Sequence, residues 1–127
     1  MMVLTFLAIV GVVASVHDGD TLRLADGTRI RLQGIDANEL DGSCHVECAV
    51  RSATEARDSL RALALGKTVS VDPTGRSYDR ITGWVSVAGR DLSCAQVKGG
   101  YAIRWARYDR EGRLLKCQPR KADHGLR

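Results

Sequence analysis

The chain has 127 residues, which is enough for one domain with its own core and too few for two ordinary domains. A hydrophobic share of 44% excludes a wholly disordered chain. With 19 lysines and arginines against 15 aspartates and glutamates, the net charge of +4 suits a polyanionic partner such as nucleic acid without singling one out.

The first 14 residues form an apolar segment that allows two interpretations. The segment has the apolar length and small-residue ending of a signal peptide, but no basic residue precedes it, and it is too short to span a bilayer as a lasting helix. Residues 10–16 are also β-branched, as a first strand would be. We favour export, which predicts a secreted or periplasmic protein; a first strand would instead predict a cytoplasmic one. A single domain is expected over residues 12–127.

Five segments have the alternating or β-branched pattern of strands. The turn between the second and third is marked by Asp26-Gly27, a pair typical of two-residue hairpins. A polar loop separates the fourth from the fifth. The predicted strands are residues 10–17, 20–24, 28–35, 67–71 and 81–87.

Three segments are predicted to be helical. The first begins at a capping box formed by Ser52 and Glu55. A short second helix covers about residues 91–99, and a last helix covers 111–123, where Pro119 shortens or bends it. A meander of five strands with a helix after the third indicates an α+β protein, a five-stranded OB-fold β-barrel with about three helices.

Charged side chains cluster around two of the predicted strands. Asp20 precedes the second strand, and Arg31, Asp36 and Glu39 lie at the end of the third and just after it. Alternation alone puts Arg31 on the solvent face of its strand, opposite Ile30. A solvated strand end therefore accounts for each of these residues singly, and a functional site accounts for them together.

Four segments resemble, in order and spacing, the staphylococcal-nuclease-like (thermonuclease) domain over about residues 12–110. They read VHDGDTLRL, IRLQGIDANEL, YDRITGWV and DLSCAQVKGGYA. The resemblance implies an OB barrel with three helices and calcium-dependent hydrolysis of phosphodiester bonds in DNA and RNA, leaving 3′-phosphate ends. We expect single strands or frayed duplexes as substrates, and a monomer with no membrane partner in its mature form. Because some domains of this family keep the barrel and lose the chemistry, a catalytically silent nucleic-acid-binding module is the alternative.

The resemblance also implies a metal site and a base. By position, Asp20, Asp36 and the backbone carbonyl of Ala37 match the calcium ligands, and Glu39 matches the general base. Calcium takes oxygen ligands, so two aspartates and a carbonyl suit it. A carboxylate within reach of a water molecule can accept its proton.

The phosphate and base contacts follow in the same way. Arg31 and Arg80 match the two phosphate-binding arginines, whose guanidinium groups can fork onto phosphate oxygens. Tyr78 and Tyr108 match substrate-contacting tyrosines, and a further tyrosine of the family is replaced here by Ala106. The complete set of acidic and basic residues favours an enzyme over a binding module.

A few neighbouring residues also invite a functional interpretation. His17 lies beside the first acidic motif, but imidazole is a poor ligand for calcium, and we interpret it as a surface strand residue. Asp18 either supports the site or caps the turn. Trp84 and Trp105 are candidates for stacking on bases, although a strand tryptophan such as Trp84 more often belongs to the core.

The four cysteines allow disulfides, a zinc site or free thiols. The C-x3-C spacing of Cys44 and Cys48, with two isolated cysteines elsewhere, favours disulfides. In the resembled fold the last helix packs near the helix that Cys94 opens, which implies a Cys94–Cys117 bridge. Cys44 and Cys48 share one short loop and are expected to pair with each other.

Overall fold

The computed structural model describes residues 8–119, and β-strands account for most of its regular structure. The strands are β1 (Ile9–Asp18), β2 (Thr21–Leu24), β3 (Arg29–Leu32), β4 (Ile35–Ala37), β5 (Thr68–Ser77), β6 (Arg80–Val87), β7 (Arg90–Asp91) and β8 (Ala102–Arg104). The helices are α1 (Ala53–Ala64) and α2 (Leu92–Lys98), with short 3-10 turns at Ala106–Tyr108 and Leu115–Cys117.

One mixed sheet closes into a five-stranded barrel. Its strand order is β3-β2-β1-β5-β6-β7, and β3 also pairs in parallel with β6, which places Ile30 opposite Ile81. A register shift between β1 and β2 at Ser15 bends β1 around the barrel. Closure leaves few free sheet edges, and the α+β barrel predicted from the sequence is confirmed.

Local sequence signals explain one hairpin turn and the first helix. Asp26-Gly27 forms the predicted hairpin, in which the Asp26 carboxylate accepts the Thr28 N–H and Gly27 has a φ of 92°. The predicted capping box at Ser52 and Glu55 is present at the start of α1. The helix then buries Ala53, Ala56, Leu60 and Ala64 against the barrel core.

Two short strands outside the barrel carry or support residues of the candidate site. β4 and β8 pair antiparallel with each other, with Asp36 opposite Ile103. The sequence did not predict them as separate strands, because three-residue elements carry too little periodicity. β5 is also longer than predicted, since it continues through a bulge after Pro73 to Ser77.

The third predicted helix is wrong over the residues that the structure describes. Of the segment 111–123, only Leu115–Cys117 forms a 3-10 turn, and residues 120–123 lie outside the described range. Gly112 has a φ of 72°, which an α-helix does not accommodate. The N–H groups of Arg113 and Leu114 bond to the Asp109 carboxylate instead of forming a helical turn.

The described residues include the end of the apolar N-terminal segment. β1 begins at Ile9, inside the segment 1–14, and residues 1–7 lie outside the described range. Residues 9–12 pair with β5 and Val13 is buried in the core, as the first-strand interpretation expects for this part of the segment. Export stays a prediction. No helix within residues 8–119 is long and apolar enough to cross a bilayer.

Candidate active site

Arg31 joins the two predicted metal-binding aspartates. Its Nη2 atom lies 3.4 Å from Oδ2 of Asp20 and 3.6 Å from Oδ1 of Asp36. Its Nη1 atom donates to the carbonyl of Leu32 at 3.0 Å. The Arg31 side chain is only 13% exposed. Strand alternation alone predicted that Arg31 lies on the solvent face, and the structure shows instead that it is largely enclosed.

The turn that carries Asp20 is held tightly in place. A Cβ atom at Gly19 would lie 2.5 Å from that of Ala56 and 2.7 Å from that of Ala37, so only glycine lets the turn approach α1 and β4. The buried side chain of Gln96 donates to the Gly19 carbonyl at 2.8 Å. Asp18 accepts the N–H of Asp20 at 3.1 Å and so caps the turn from within the site.

Asp20 is buried, and its cationic neighbour Arg31, 3.4 Å away, is shared with Asp36. Burial raises the pKa of Asp20 to about 6, with a further contribution from Asp18, and the Arg31 guanidinium only partly opposes this. The Ala37 N–H donates to Asp20 Oδ2 at 2.9 Å. This bond fixes the main chain of Ala37, whose carbonyl is the third predicted ligand, beside both aspartates. A carboxylate with a raised pKa in such a place favours an additional cation.

Glu39 lies just beyond β4 at the rim of this cluster. Its side chain is 37% exposed, so water can reach it. Burial and the charges of Asp20 and Asp36 raise the pKa of Glu39 above its ordinary value, while His45 and Arg31 oppose the shift. The preceding residue, Asn38, bonds to the main chain at Ala49 and Arg51 and anchors the loop that follows.

Sequence reasoning missed His45. The ring Nδ1 of His45 lies 3.0 Å from Oδ1 of Asp36 and 3.9 Å from Oε1 of Glu39. The main-chain N–H of His45 donates to Oδ2 of Asp36 at 3.1 Å. The ring also stacks on Trp105, with centroids 5.3 Å apart. The only sequence signal was its place between Cys44 and Cys48, since a disulfide there forces the loop to fold back towards Glu39.

Arg80 approaches the same cluster from β6. Its Nη1 donates to the Thr21 hydroxyl at 3.4 Å and its Nη2 to the Ser77 hydroxyl at 3.3 Å. The Thr21 hydroxyl in turn donates to Asp20 at 3.1 Å. Within residues 8–119 Arg80 forms no ion pair, which leaves its charge available to an anionic ligand.

The two predicted substrate tyrosines lie at separate places on the surface. Tyr78 is 95% exposed at the tip of the β5–β6 hairpin, with a φ of 58°. Tyr108 lies edge-to-face on Trp105 at 4.8 Å, so that Trp105 stands between it and His45. Trp84 packs against the core under the guanidinium of Arg113, and His17 is exposed. The structure thus brings Tyr108, and not Tyr78, into the aromatic row beside the acidic cluster.

Both predicted disulfides are present. Cys94–Cys117 joins α2 to the last 3-10 turn, and Cys44–Cys48 closes the loop that carries His45. No free cysteine remains among the described residues. The zinc and free-thiol interpretations of the cysteines are therefore wrong.

Comparison with known proteins identifies the family. The family model for staphylococcal nuclease homologues matches residues 29–123, which include Arg31, Asp36, Glu39 and Arg80. Asp20 precedes the matched range, and its 3.4 Å approach to Arg31 links it to the matched residues. No curated protein matches the chain. Because the match covers most of the 127 residues, the chain belongs to the staphylococcal nuclease homologue family, which indicates a nuclease-like or nucleic-acid-binding function.

Proposed function

We propose that the chain is a calcium-dependent nuclease that hydrolyses phosphodiester bonds in DNA and RNA and leaves 3′-phosphate ends. The observation that carries the proposal is the position of Arg31 between Asp20 and Asp36, with Glu39 and Arg80 beside the same cluster. A structural ion pair needs one carboxylate, whereas this arrangement gathers three carboxylates and two arginines.

The residues fit a calcium ion. Asp20 and Asp36 are buried and both lie within 3.6 Å of one cationic nitrogen, so the two carboxylates face a common point. With the Ala37 carbonyl they offer the oxygen donors that calcium prefers. The raised pKa of Asp20 supports the fit, since a bound cation would relieve the cost of ionising this buried carboxyl. When bound, calcium would polarise the phosphate and offset the negative charge that develops on its oxygens.

Arg31 and Arg80 would hold the phosphate. Arg80 makes only long hydrogen bonds to two hydroxyl groups, at 3.3 and 3.4 Å, and phosphate oxygens can replace both. Arg31 is held by the Leu32 carbonyl and faces the aspartates, so it would bridge the phosphate to the metal-binding residues. Charge stabilisation of this kind is commonly the largest contribution to catalysis.

Glu39 would act as the general base. Its side chain is reachable by water, and its raised pKa makes it a stronger proton acceptor than an ordinary surface glutamate. The carboxylate takes a proton from water, and the water oxygen attacks phosphorus. The bond from phosphorus to the 5′ oxygen breaks, the departing oxygen takes up a proton, and the phosphate stays on the 3′ side.

The exposed aromatic residues support single-stranded or frayed substrates. Tyr78 and Tyr108 present accessible rings, and unpaired bases stack on such rings with little regard to sequence. Such stacking does not read the sugar 2′ position, which is consistent with activity on both DNA and RNA. We expect the protein to act as a monomer.

Digestion of end-labelled single-stranded DNA and RNA oligonucleotides tests the proposal. Cleavage is expected with calcium, loss of cleavage with EDTA, and weak recovery with magnesium, which demands a tighter octahedron and holds its waters. The products should carry 3′-phosphates, seen as a mobility shift after phosphatase treatment. Undiminished cleavage in EDTA would show that the reaction does not need the metal. If the oligonucleotides bind but are cleaved in none of these conditions, the protein is a silent binding module.

The two disulfides support an oxidising location, secreted or periplasmic. Non-reducing peptide mapping and N-terminal sequencing of protein purified from its natural compartment test this. We expect both bridges and a mature chain that still contains residues 9–13, since residues 9–12 pair with β5 and Val13 is buried in the core. Four alkylatable thiols in the native protein would contradict export.

A further inference from the structure

We propose that Asp36, Glu39 and His45 form a binding site for a first-row divalent transition metal ion such as Mn²⁺ or Zn²⁺. One ligand atom from each of the three side chains lies within 4.8 Å of the other two. The proposal shares Asp36 and Glu39 with the proposed nuclease site but does not include Asp20. It rests on the proposed function only in that the two sites overlap.

The distances suit a small metal ion. His45 Nδ1 lies 3.0 Å from Asp36 Oδ1 and 3.9 Å from Glu39 Oε1. Metal–ligand bonds of about 2.1 Å put neighbouring ligands roughly 3.0 to 3.4 Å apart in octahedral or tetrahedral geometry. Because the three ligand atoms lie up to 4.8 Å apart, Glu39 needs to move by roughly 1–2 Å towards Asp36 and His45, which its partly exposed side chain allows.

The His45 loop is already organised around Asp36. The Cys44–Cys48 bridge closes the loop, and the His45 N–H holds it to Asp36 Oδ2 at 3.1 Å. Stacking on Trp105 fixes the plane of the ring. The His45 side chain is nevertheless 52% exposed, so an ion can enter from solvent. A ligand set held this way loses little entropy when a metal binds.

The donor set selects the class of metal. Imidazole nitrogen suits zinc, iron, nickel and copper and is a poor ligand for calcium, while the two carboxylates of the set also suit manganese. The oxygen set of Asp20, Asp36 and Ala37 suits calcium, and the mixed set of Asp36, Glu39 and His45 suits a transition metal. Because Asp36 belongs to both sets, the two kinds of ion should compete. A transition metal would also occupy Glu39, the proposed base, and therefore inhibit calcium-dependent cleavage.

Titration of the full protein with Co²⁺, followed by its ligand-field absorption, tests the proposal. The wild-type protein and the His17→Ala control, which removes an exposed strand histidine outside the cluster, should bind Co²⁺ equally. His45→Ala should weaken binding by roughly tenfold or more. Asp20→Asn should keep Co²⁺ binding, because Asp20 is outside the set. Absence of Co²⁺ binding in the wild-type protein, or equal affinity in the His45→Ala variant, would overturn the proposal and leave His45 as a hydrogen-bonding partner of Asp36.

A second measurement needs no variant. Zn²⁺, which is diamagnetic, should shift the NMR resonances of the His45 ring nitrogens as Nδ1 binds the ion, with the His17 ring nitrogens unchanged. Unchanged His45 ring nitrogens at saturating Zn²⁺ would overturn the site. These readouts are independent of cleavage: a protein that binds Co²⁺ through His45 but fails to cut nucleic acid refutes the nuclease and keeps this site, and the reverse result refutes this site alone.

Discussion

Two buried aspartates, Asp20 and Asp109, each face an arginine, and their pKa values move in opposite directions. Burial acts to raise the pKa of both. At Asp109 it is outweighed by a 2.7 Å bond from Arg104 and by the N–H groups of Arg113 and Leu114, so the pKa is lowered. At Asp20 the nearest cationic nitrogen is 3.4 Å away, and the pKa rises to about 6.

The difference separates a structural carboxylate from one that favours a further cation. Asp109 has its acceptor sites filled by donors of the same chain, which fastens the segment before the last 3-10 turn. Asp20 shares its one arginine with Asp36 and lies beside Asp18, so its charge is poorly balanced. The hydrogen bonds from Ala37 and Thr21 and the contact with Arg31 do not offset the cost of ionising Asp20, and the proposed divalent cation would do so.

The sharpest expected contrast is in catalysis. Replacing an arginine at the Asp20 end, as in Arg80→Ala, should lower the cleavage rate by about 10²–10³-fold, since it removes one of the two proposed phosphate-binding donors. Arg31→Ala should lower both the rate and the affinity for oligonucleotide. Single-turnover cleavage and fluorescence anisotropy measure the two effects. Arg61→Ala, an exposed arginine of α1, is the control, and an equal loss there would contradict the assignment.

The largest expected effect on stability is at the Asp109 end. Asp109→Asn should lower the free energy of unfolding by about 3–5 kcal/mol near neutral pH, because it removes the ionic partner of Arg104, whose side chain is only 15% exposed. Urea denaturation at matched protein concentration measures the change. A loss below about 1 kcal/mol would show that the pair is as weak as a surface ion pair.

The two disulfides should also differ in their effects: Cys94–Cys117 should contribute more to stability, and Cys44–Cys48 should also hold the candidate site in shape. Removing Cys94–Cys117 with a double Cys→Ser variant should lower the free energy of unfolding by roughly 3 kcal/mol, and removing Cys44–Cys48 by roughly 2 kcal/mol, because the second loop is shorter. Removal of the Cys44–Cys48 bridge should in addition weaken the docking of His45 on Asp36. Denaturation curves of the two variants under identical oxidising conditions decide the order, and the reverse order would be contrary to this account.

The last stability prediction concerns Asp20→Asn, which should stabilise the folded protein, whereas the Asp109 and cysteine variants should destabilise it. The folded state raises the pKa of Asp20 from 3.8 to about 6, so the stabilisation from this group is complete below pH 3.8 and is lost as pH rises through about 6. In EDTA at about pH 8, Asp20→Asn should therefore stabilise the protein by about 1–3 kcal/mol. The gain should vanish at about pH 3.5, where the wild-type carboxyl is protonated in both states. Destabilisation at high pH, as expected for Asp109→Asn, would contradict the raised pKa.

Local signals in the sequence were sufficient for much of the fold. The Asp26-Gly27 hairpin and the Ser52 capping box need only neighbouring residues, and both appear as predicted. The third helix fails for a local reason that competes with its apolar pattern, since Gly112 has a positive φ and Asp109 binds the following N–H groups. The sequence pattern alone does not show whether the apolar helical spacing or the turn at Asp109 and Gly112 determines the backbone conformation.

The site could be predicted only in part, because its geometry depends on residues far apart in the chain. The family resemblance named Asp20, Arg31, Asp36, Glu39 and Arg80. Strand alternation could not show that the Arg31 side chain is only 13% exposed, since this follows from its contacts with Asp20 in the β1–β2 turn and Asp36 in β4. His45 joins Asp36 through a loop whose path is set by a disulfide, and no periodic pattern records that.

The most direct test of the central claim compares two glutamates that lie on either side of His45. Single-turnover cleavage of a labelled single-stranded oligonucleotide in calcium is measured for Glu39→Gln and for Glu47→Gln, an exposed residue of the same disulfide loop. We predict that Glu39→Gln lowers the rate by about 10²–10⁴-fold while oligonucleotide affinity is retained, because it removes the base and keeps both arginines. Glu47→Gln should cleave like the wild-type protein. Cleavage by Glu39→Gln at the wild-type rate would contradict the proposed active site.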